Sequence, residues 1–345
     1  MQAQRCYFAQ LPVELLNTVF TSVTDLNTLA NAALSCRSLY ATFKGNEKRI
    51  IKEFLINHIG MDVLPEAILA YNCLPGPMRR SRMHLTGVKL WQSFRLSPPS
   101  PAEKARIARA FYRFELFRRV LALVWSEAYD KDCVPILHQF QPWELCQLGC
   151  IHDFLAYEVI PAFVNTVRQD GIERYDDFEF GSDYDTDMTA PWIQHILSLG
   201  LREIYRLTTM RSFDERKAVL HGHRRHIDIE SVFLHDELVE LNQDGYPQHS
   251  HPSASDKPFY DDGDVGAKQI WQHSKRHDDD MEVYELGNWE HRAWGYVLWD
   301  NERLQALGIF DLPWSQTRLR SSLRSVLMLQ DDQNTANEWS RDRLM

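Results

Sequence analysis

The stretch from Ser100 to Trp125 constrains the chain more than any other. Ser100 and Glu103 have the spacing at which each side chain satisfies the other's backbone N–H, and Pro101 has its φ already set for the first helical position. Apolar residues then return at three- and four-residue steps, at Ile107, Ala110, Phe111, Phe114, Phe117, Leu121, Val124 and Trp125. Arg106, Arg109, Arg113 and Arg118 fall mostly elsewhere around the cylinder. From Phe114 onward Leu116, Val120 and Leu123 widen the apolar stripe, so this helix is expected to run through the centre of a sizeable domain.

Other segments repeat the period. Pro142 opens a helix with Trp143, Leu145, Leu148, Ile151, Phe154, Leu155 and Val159 on its buried side, which Pro161 is expected to end or kink, with Phe163, Val164 and Val167 continuing the pattern. Shorter helical patterns cover 192–208 and 228–241. Asp300 can cap a short helix ending near Gly308, beside an aromatic cluster of Trp289, Trp294, Tyr296 and Trp299 that must be buried. Strictly alternating runs between Asn-Gly or Asp-Gly turns are absent, so the fold class is mainly α.

At the N-terminus, Pro12 in a first turn precedes Leu15, Leu16, Val19 and Phe20. Asp25–Leu34 carries Leu26, Leu29, Ala30, Ala33 and Leu34 on one side, and Ser35 can cap a third piece with Leu39, Tyr40 and Phe43. Three such helices hold too few apolar groups to close a core, so this unit should lean on a neighbour in the chain or on a partner. The expected organisation is a three-helix module over 8–50, an irregular α-helical domain over 51–325 and a polar tail over 326–345. Within the large domain, 170–190 reads as an acidic solvated loop and 243–281, rich in Asp and Pro, as a flexible insert.

With 38 basic against 48 acidic residues, the chain is not built mainly to grip phosphate backbones. It lacks both an 18-residue apolar run and a leader-like start, so no membrane partner and a cytosolic or nuclear location are expected. Six cysteines, Cys6, Cys36, Cys73, Cys133, Cys146 and Cys150, are expected to stay reduced, with Cys146 and Cys150 packed one turn apart in the core.

Phosphate cradles and nucleophile signatures are missing. The arginines around His221, His223 and His226 repel a dication, and a surface basic patch is the preferred reading there. Arg79, Arg80 and Arg82 form another basic spot without the interleaved aromatics of a strand-binding groove, so no nucleic-acid partner is expected. One enzymatic alternative is His226-x-Asp228 with His291, the residue types of an iron-binding facial triad, although that site normally stands on strands. The preferred reading has no catalytic residue, metal or cofactor.

Leu11-Pro12-x-Glu14-Leu15-Leu16-x-x-Val19-Phe20, followed by Leu26, Leu29 and Leu34 and by Cys36-Arg37-Ser38-Leu39-Tyr40, resembles the F-box in order and spacing. Ser35 stands where that family usually has an aliphatic residue, and Tyr40 near its usual Trp. The resemblance covers about 40 of the 345 residues. More loosely, Ala108–Phe117, Pro142–Cys150 and Trp294–Asp300 are similar to helical regions of fungal F-box-like proteins.

The resemblance implies a docking module for the Skp-type adaptor of cullin–RING (SCF) ubiquitin ligases, with the rest of the chain recruiting a protein substrate for ubiquitin-dependent degradation. The implied adaptor-binding residues are Leu11, Pro12, Leu15, Leu16, Val19, Phe20, Leu34, Cys36, Leu39 and Tyr40. A helical scaffold that never joins a ligase is the remaining alternative.

Overall fold

The computed structural model describes residues 11–23, 25–72, 98–124, 137, 140–170, 174–175, 178–179, 191–210, 212–223, 233–235, 237–239, 261–275, 291–292 and 294–314. The described residues are mainly helical, and the chain divides into two compact units, Met1–Leu69 and Ala70–Met345.

In the first unit, α1 (Val13–Ser22) starts after Pro12, whose carbonyl accepts from the Leu16 N–H at 3.1 Å. α2 (Leu26–Leu34) is capped by Asp25, which accepts from the Thr28 N–H at 2.8 Å. α3 (Arg37–Ile59) has Cys36 rather than Ser35 at its N-cap. The Ser35 hydroxyl instead turns back to the Ala32 carbonyl at 2.8 Å, closing α2. α3 is irregular at Asn46 (φ −125°, ψ 17°), whose amide donates to the Thr42 carbonyl at 3.3 Å, a side-chain bond that competes with the helix ladder. It ends at Gly60, in a positive φ of 87° that a residue with a Cβ adopts only under strain.

α1 and α2 both pack on α3. Their common core is Leu16, Phe20, Leu29, Ala33, Leu39, Ile50 and Phe54. The shortage of apolar groups expected for a module ending at residue 50 is thus met within the unit: α3 runs nine residues further than that boundary and contributes Phe54. The boundary near 50 falls inside a continuous helix, and the compact unit reaches Leu69, within α4 (Leu64–Asn72).

In the second unit, α5 (Pro101–Val124) begins with the expected reciprocal cap. Glu103 N–H donates to Ser100 Oγ at 3.1 Å, and Ser100 N–H donates to Glu103 Oε2 at 2.8 Å. α6 (Pro142–Asp170) packs along α5 and is the shared wall for α7 (Pro191–Ser198), α8 (Leu201–Thr209), α9 (Phe213–His223) and α10 (Gly266–Ser274). α6 does not stop at Pro161. That residue is exposed, so the rung of the ladder it removes lies on the solvent side, while Phe163 and Val164 hold the next turn in the core.

The pattern over 192–208 splits into α7 and α8 at Gly200 (φ 90°), where a Cβ would stand 2.5 Å from Arg118 Nε. Part of the acidic stretch forms a two-residue antiparallel pair, β1 (Arg174–Tyr175) with β2 (Phe178–Glu179), Tyr175 opposite Phe178. The rest of that stretch lies outside the described residues. The aromatic cluster is buried at Tyr296 and Trp299. Asp300 caps α11 (Asn301–Ala306), accepting from the Arg303 N–H at 3.0 Å, and Gly308 follows at φ 63°.

Phe54 is central to the first unit's own core, so Phe54→Ala is expected to cost about 3 to 5 kcal/mol. All ten tryptophans lie beyond residue 69. The far-UV circular dichroism transition of the full chain should therefore shift in urea while the tryptophan fluorescence transition holds as internal reference. Coincident, unshifted transitions would contradict this core assignment.

Candidate functional site

The ten residues expected to contact an adaptor separate into two groups. Leu16, Phe20 and Leu39 are buried in the module's core, so these three are corrected from docking to packing residues. Cys36 is half-buried and packs against the same core. Leu11, Pro12, Leu15, Val19, Leu34 and Tyr40 are exposed, Leu15 at 51% and Leu34 at 71%.

The division follows helix geometry. On α1, Leu16 and Phe20 are four apart and face inward, while Leu15 and Val19, also four apart, form a second apolar stripe facing out. On α2, Leu29 and Ala33 are buried, whereas Leu26, Ala30 and Leu34 are exposed. The single apolar side read from the α2 sequence is two sides. Val13 and Leu26 join the outward set and were missed as surface positions. The signal was available: an apolar pattern wide enough for two stripes exceeds what one small core needs.

The second unit concentrates charge in its interior. Glu103, Arg106, Arg109, Arg113, Glu115 and Arg119 of α5 are all buried. Arg106 donates to Asp262 at 2.6 Å, to Asp264 at 2.7 Å and to the Trp299 carbonyl at 2.9 Å. Arg109 shares Asp262 at 3.0 Å. Arg113 meets Glu144 at 2.9 Å and lies over the Phe140 ring. Arg119 and Arg118 converge on Glu115, whose other oxygen accepts the Leu201 N–H and so anchors the start of α8. Glu103 holds Arg303 through both oxygens, at 2.6 and 2.8 Å. Arg106, Arg109 and Arg113, expected mostly off the buried stripe, are therefore interior residues matched by carboxylates, and Arg118 is half-buried.

This network corrects the expectation of a flexible insert over 243–281. Residues 261–275 fold onto α5 through Asp262 and Asp264, and α10 follows. Asp264 also accepts from the Gly266 and Asn301 N–H groups. The fit is close: a Cβ on Gly266 would lie 2.4 Å from the Asn301 nitrogen. Residues 243–260 and 276–281 lie outside the described residues.

A second buried group surrounds Asp153. Arg292 Nε donates to its Oδ2 at 2.7 Å, and His152 Nδ1 lies 3.0 Å from its Oδ1. Nε2 of His152 is 3.1 Å from Gln194 Oε1. Burial pushes the Asp153 carboxyl up, but the Arg292 guanidinium and His152 outweigh it and hold the group at about 2. Asp262 is likewise held below the ordinary carboxylate range: burial raises it, and the hydrogen bond and charge of Arg106 lower it further. Carboxylates kept ionised in this way neutralise buried cations; they are poorly matched to proton transfer near neutrality.

Cys146 and Cys150 are buried free thiols, as expected, and burial pushes Cys150 well up, away from thiolate chemistry. His226 and Asp228 of the iron alternative lie outside the described residues. His291 is buried and stacks on Trp314 with centroids 3.9 Å apart. Among the described residues no group of three His, Cys, Asp or Glu side chains could hold a metal ion, and no helix is long and apolar enough to cross a membrane. The Arg79–Arg82 spot and the tail over 326–345 also fall outside the description, while His221 and His223 lie in the last turn of α9.

Comparison with known proteins finds no matching family model, no matching curated protein and no matching solved structure.

Two outcomes follow from the interior charges. Asp262→Ala deprives Arg106 and Arg109 of their shared carboxylate and should destabilise the second unit by about 3 to 5 kcal/mol, read as a lower urea midpoint in tryptophan fluorescence. An unchanged midpoint would show that 261–275 is not held to α5 in this way. The pKa of Asp153 is lower in the folded than in the unfolded chain, so its contribution is present above pH 4 and is lost as pH falls toward 2. That contribution is roughly 2 kcal/mol. Asp153→Asn should flatten this acid limb of the stability–pH curve.

Proposed function

We propose that the chain is a non-catalytic substrate receptor of an SCF-type ubiquitin ligase, docking the Skp-type adaptor through α1, α2 and the start of α3. The observation that carries this reading is the doubled apolar patterning of α1 and α2. The first unit buries Leu16, Phe20, Leu29 and Ala33 for its own stability and still exposes Leu15, Val19, Leu26 and Leu34. A solvated face needs none of these, whereas a helix-binding groove takes apolar anchors at this spacing. The F-box-like order of Leu11, Pro12, Leu15, Val19, Cys36 and Tyr40 supplies the identity of the partner.

Exposure reassigns the contact set. Leu11, Pro12, Leu15, Val19, Leu34 and Tyr40 make the contact, with Val13 and Leu26 at its edges, and Leu16, Phe20 and Leu39 hold the helices that present them. In this reading residues 70–345 hold the protein substrate, and the internally neutralised charges of α5 give that part a fixed shape.

Because Leu15 and Val19 are outside the core, Leu15→Asp with Val19→Asp should abolish retention of the full-length chain by purified Skp-type adaptor, with both unfolding transitions nearly unmoved. The Phe20→Ala variant should instead lose stability. Wild-type binding that survives the double Asp substitution would overturn the docking surface, and no binding by the wild type would overturn the function.

A further inference from the structure

The outer face of α3 has a pattern that apolar docking leaves unexplained. On either side of the irregularity at Asn46 the helix turns an apolar side to the core, Leu39 before it and Ile50 and Phe54 after it, and at about 100° per residue Arg37 and Lys44 in the first part and Lys48 and Lys52 in the second fall away from that side, all four exposed. Lys44 is paired with Glu47 at 2.7 Å, and Arg49 with Glu53 at 2.8 Å on the flank. Arg37, Lys48 and Lys52 have no carboxylate partner among the described residues.

The basic row begins where the exposed apolar residues end. Leu34 closes α2, Arg37 opens α3, and Tyr40 lies about one turn from both Arg37 and Lys44. Residues 1–69 hold six basic and six acidic side chains, so the chain's whole deficit, 38 basic against 48 acidic, lies in residues 70–345. An extended polyanion would be repelled by most of this molecule. A folded partner with a local acidic patch can engage the row on α3.

We infer that the partner docked by α1 and α2 presents an acidic surface to Arg37, Lys48 and Lys52 of α3, so that the encounter is electrostatically steered. This rests on the docking reading above. It adds the charge of the partner face and the salt dependence of association, neither of which the apolar stripes require.

The test compares the full-length chain with its Lys48→Glu/Lys52→Glu variant, measuring association and dissociation rates with purified Skp-type adaptor at low salt and at about 1 M salt, where the screening length is about 3 Å. Both lysines are exposed and without a carboxylate partner among the described residues, so circular dichroism should report an unchanged fold. The variant is expected to associate about tenfold more slowly at low salt, with little change in dissociation, and the gap should close at high salt. Salt-independent association, with the variant binding like the wild type, overturns the acidic-face inference. Loss of binding by Leu15→Asp/Val19→Asp in the same experiment shows that the docking reading survives it. No adaptor binding by the wild type overturns both. Binding to a single-stranded oligonucleotide that is lost in the lysine variant, with adaptor rates unmoved, assigns the row to a different ligand and also overturns the inference.

Discussion

The second unit depends on satisfying the arginines of α5. A guanidinium taken out of water costs several kcal/mol unless carboxylates and carbonyls replace its hydration. Arg106, Arg109, Arg113 and Arg119 are all buried on one helix, so their partners must come to them. Asp262 and Asp264 arrive from more than 150 residues away, and Glu144 from the neighbouring helix. Glu103 draws in Arg303 from still farther along the chain. The start of α11, the turn into α10 and the start of α8 are each tied to a carboxylate of this set. The geometry of the unit follows from this matching as much as from its apolar core.

The first unit is held by different forces. Its core is seven apolar side chains closed by the continuation of α3. Its stability is spread over packing, and its helices can devote a second apolar stripe to another purpose. One unit directs its unusual residues inward, where they fix a shape, and the other directs them outward, where they are available to a partner.

Local signals in the sequence anticipated local structure. The Ser100–Glu103 cap, the start of α6 at Pro142, the Asp300 cap and the buried Cys146 and Cys150 all depend on residues within a turn or two of one another. What depended on long-range contacts was not legible. Asp262 and Asp264 sit in a stretch with the composition of a solvated loop, and contact with Arg106, joined by Arg109 at Asp262, holds them half-buried against α5. Pro161 is a helix breaker by local rule and a helix residue here because its exposed side tolerates one missing rung. In the candidate site, the apolar positions were legible but not which stripe faces in: Leu15 and Leu16 are adjacent and equally apolar, and only the placement of α3 distinguishes them.

Under the docking proposed above, the exposed apolar stripes and the basic row of the first unit have different energetic parts. A half-exposed leucine that becomes buried contributes about 1 kcal/mol, while association costs at least about 4 kcal/mol in lost freedom. No single residue among Leu15, Val19, Leu34 and Tyr40 can overcome that cost, so the stripes act collectively and the partner must match their spacing. Charges at the rim of such a surface add little to the final affinity, but they act at distances where apolar contacts are silent. Arg37, Lys48 and Lys52 therefore fit the approach of a partner and the apolar stripes its retention.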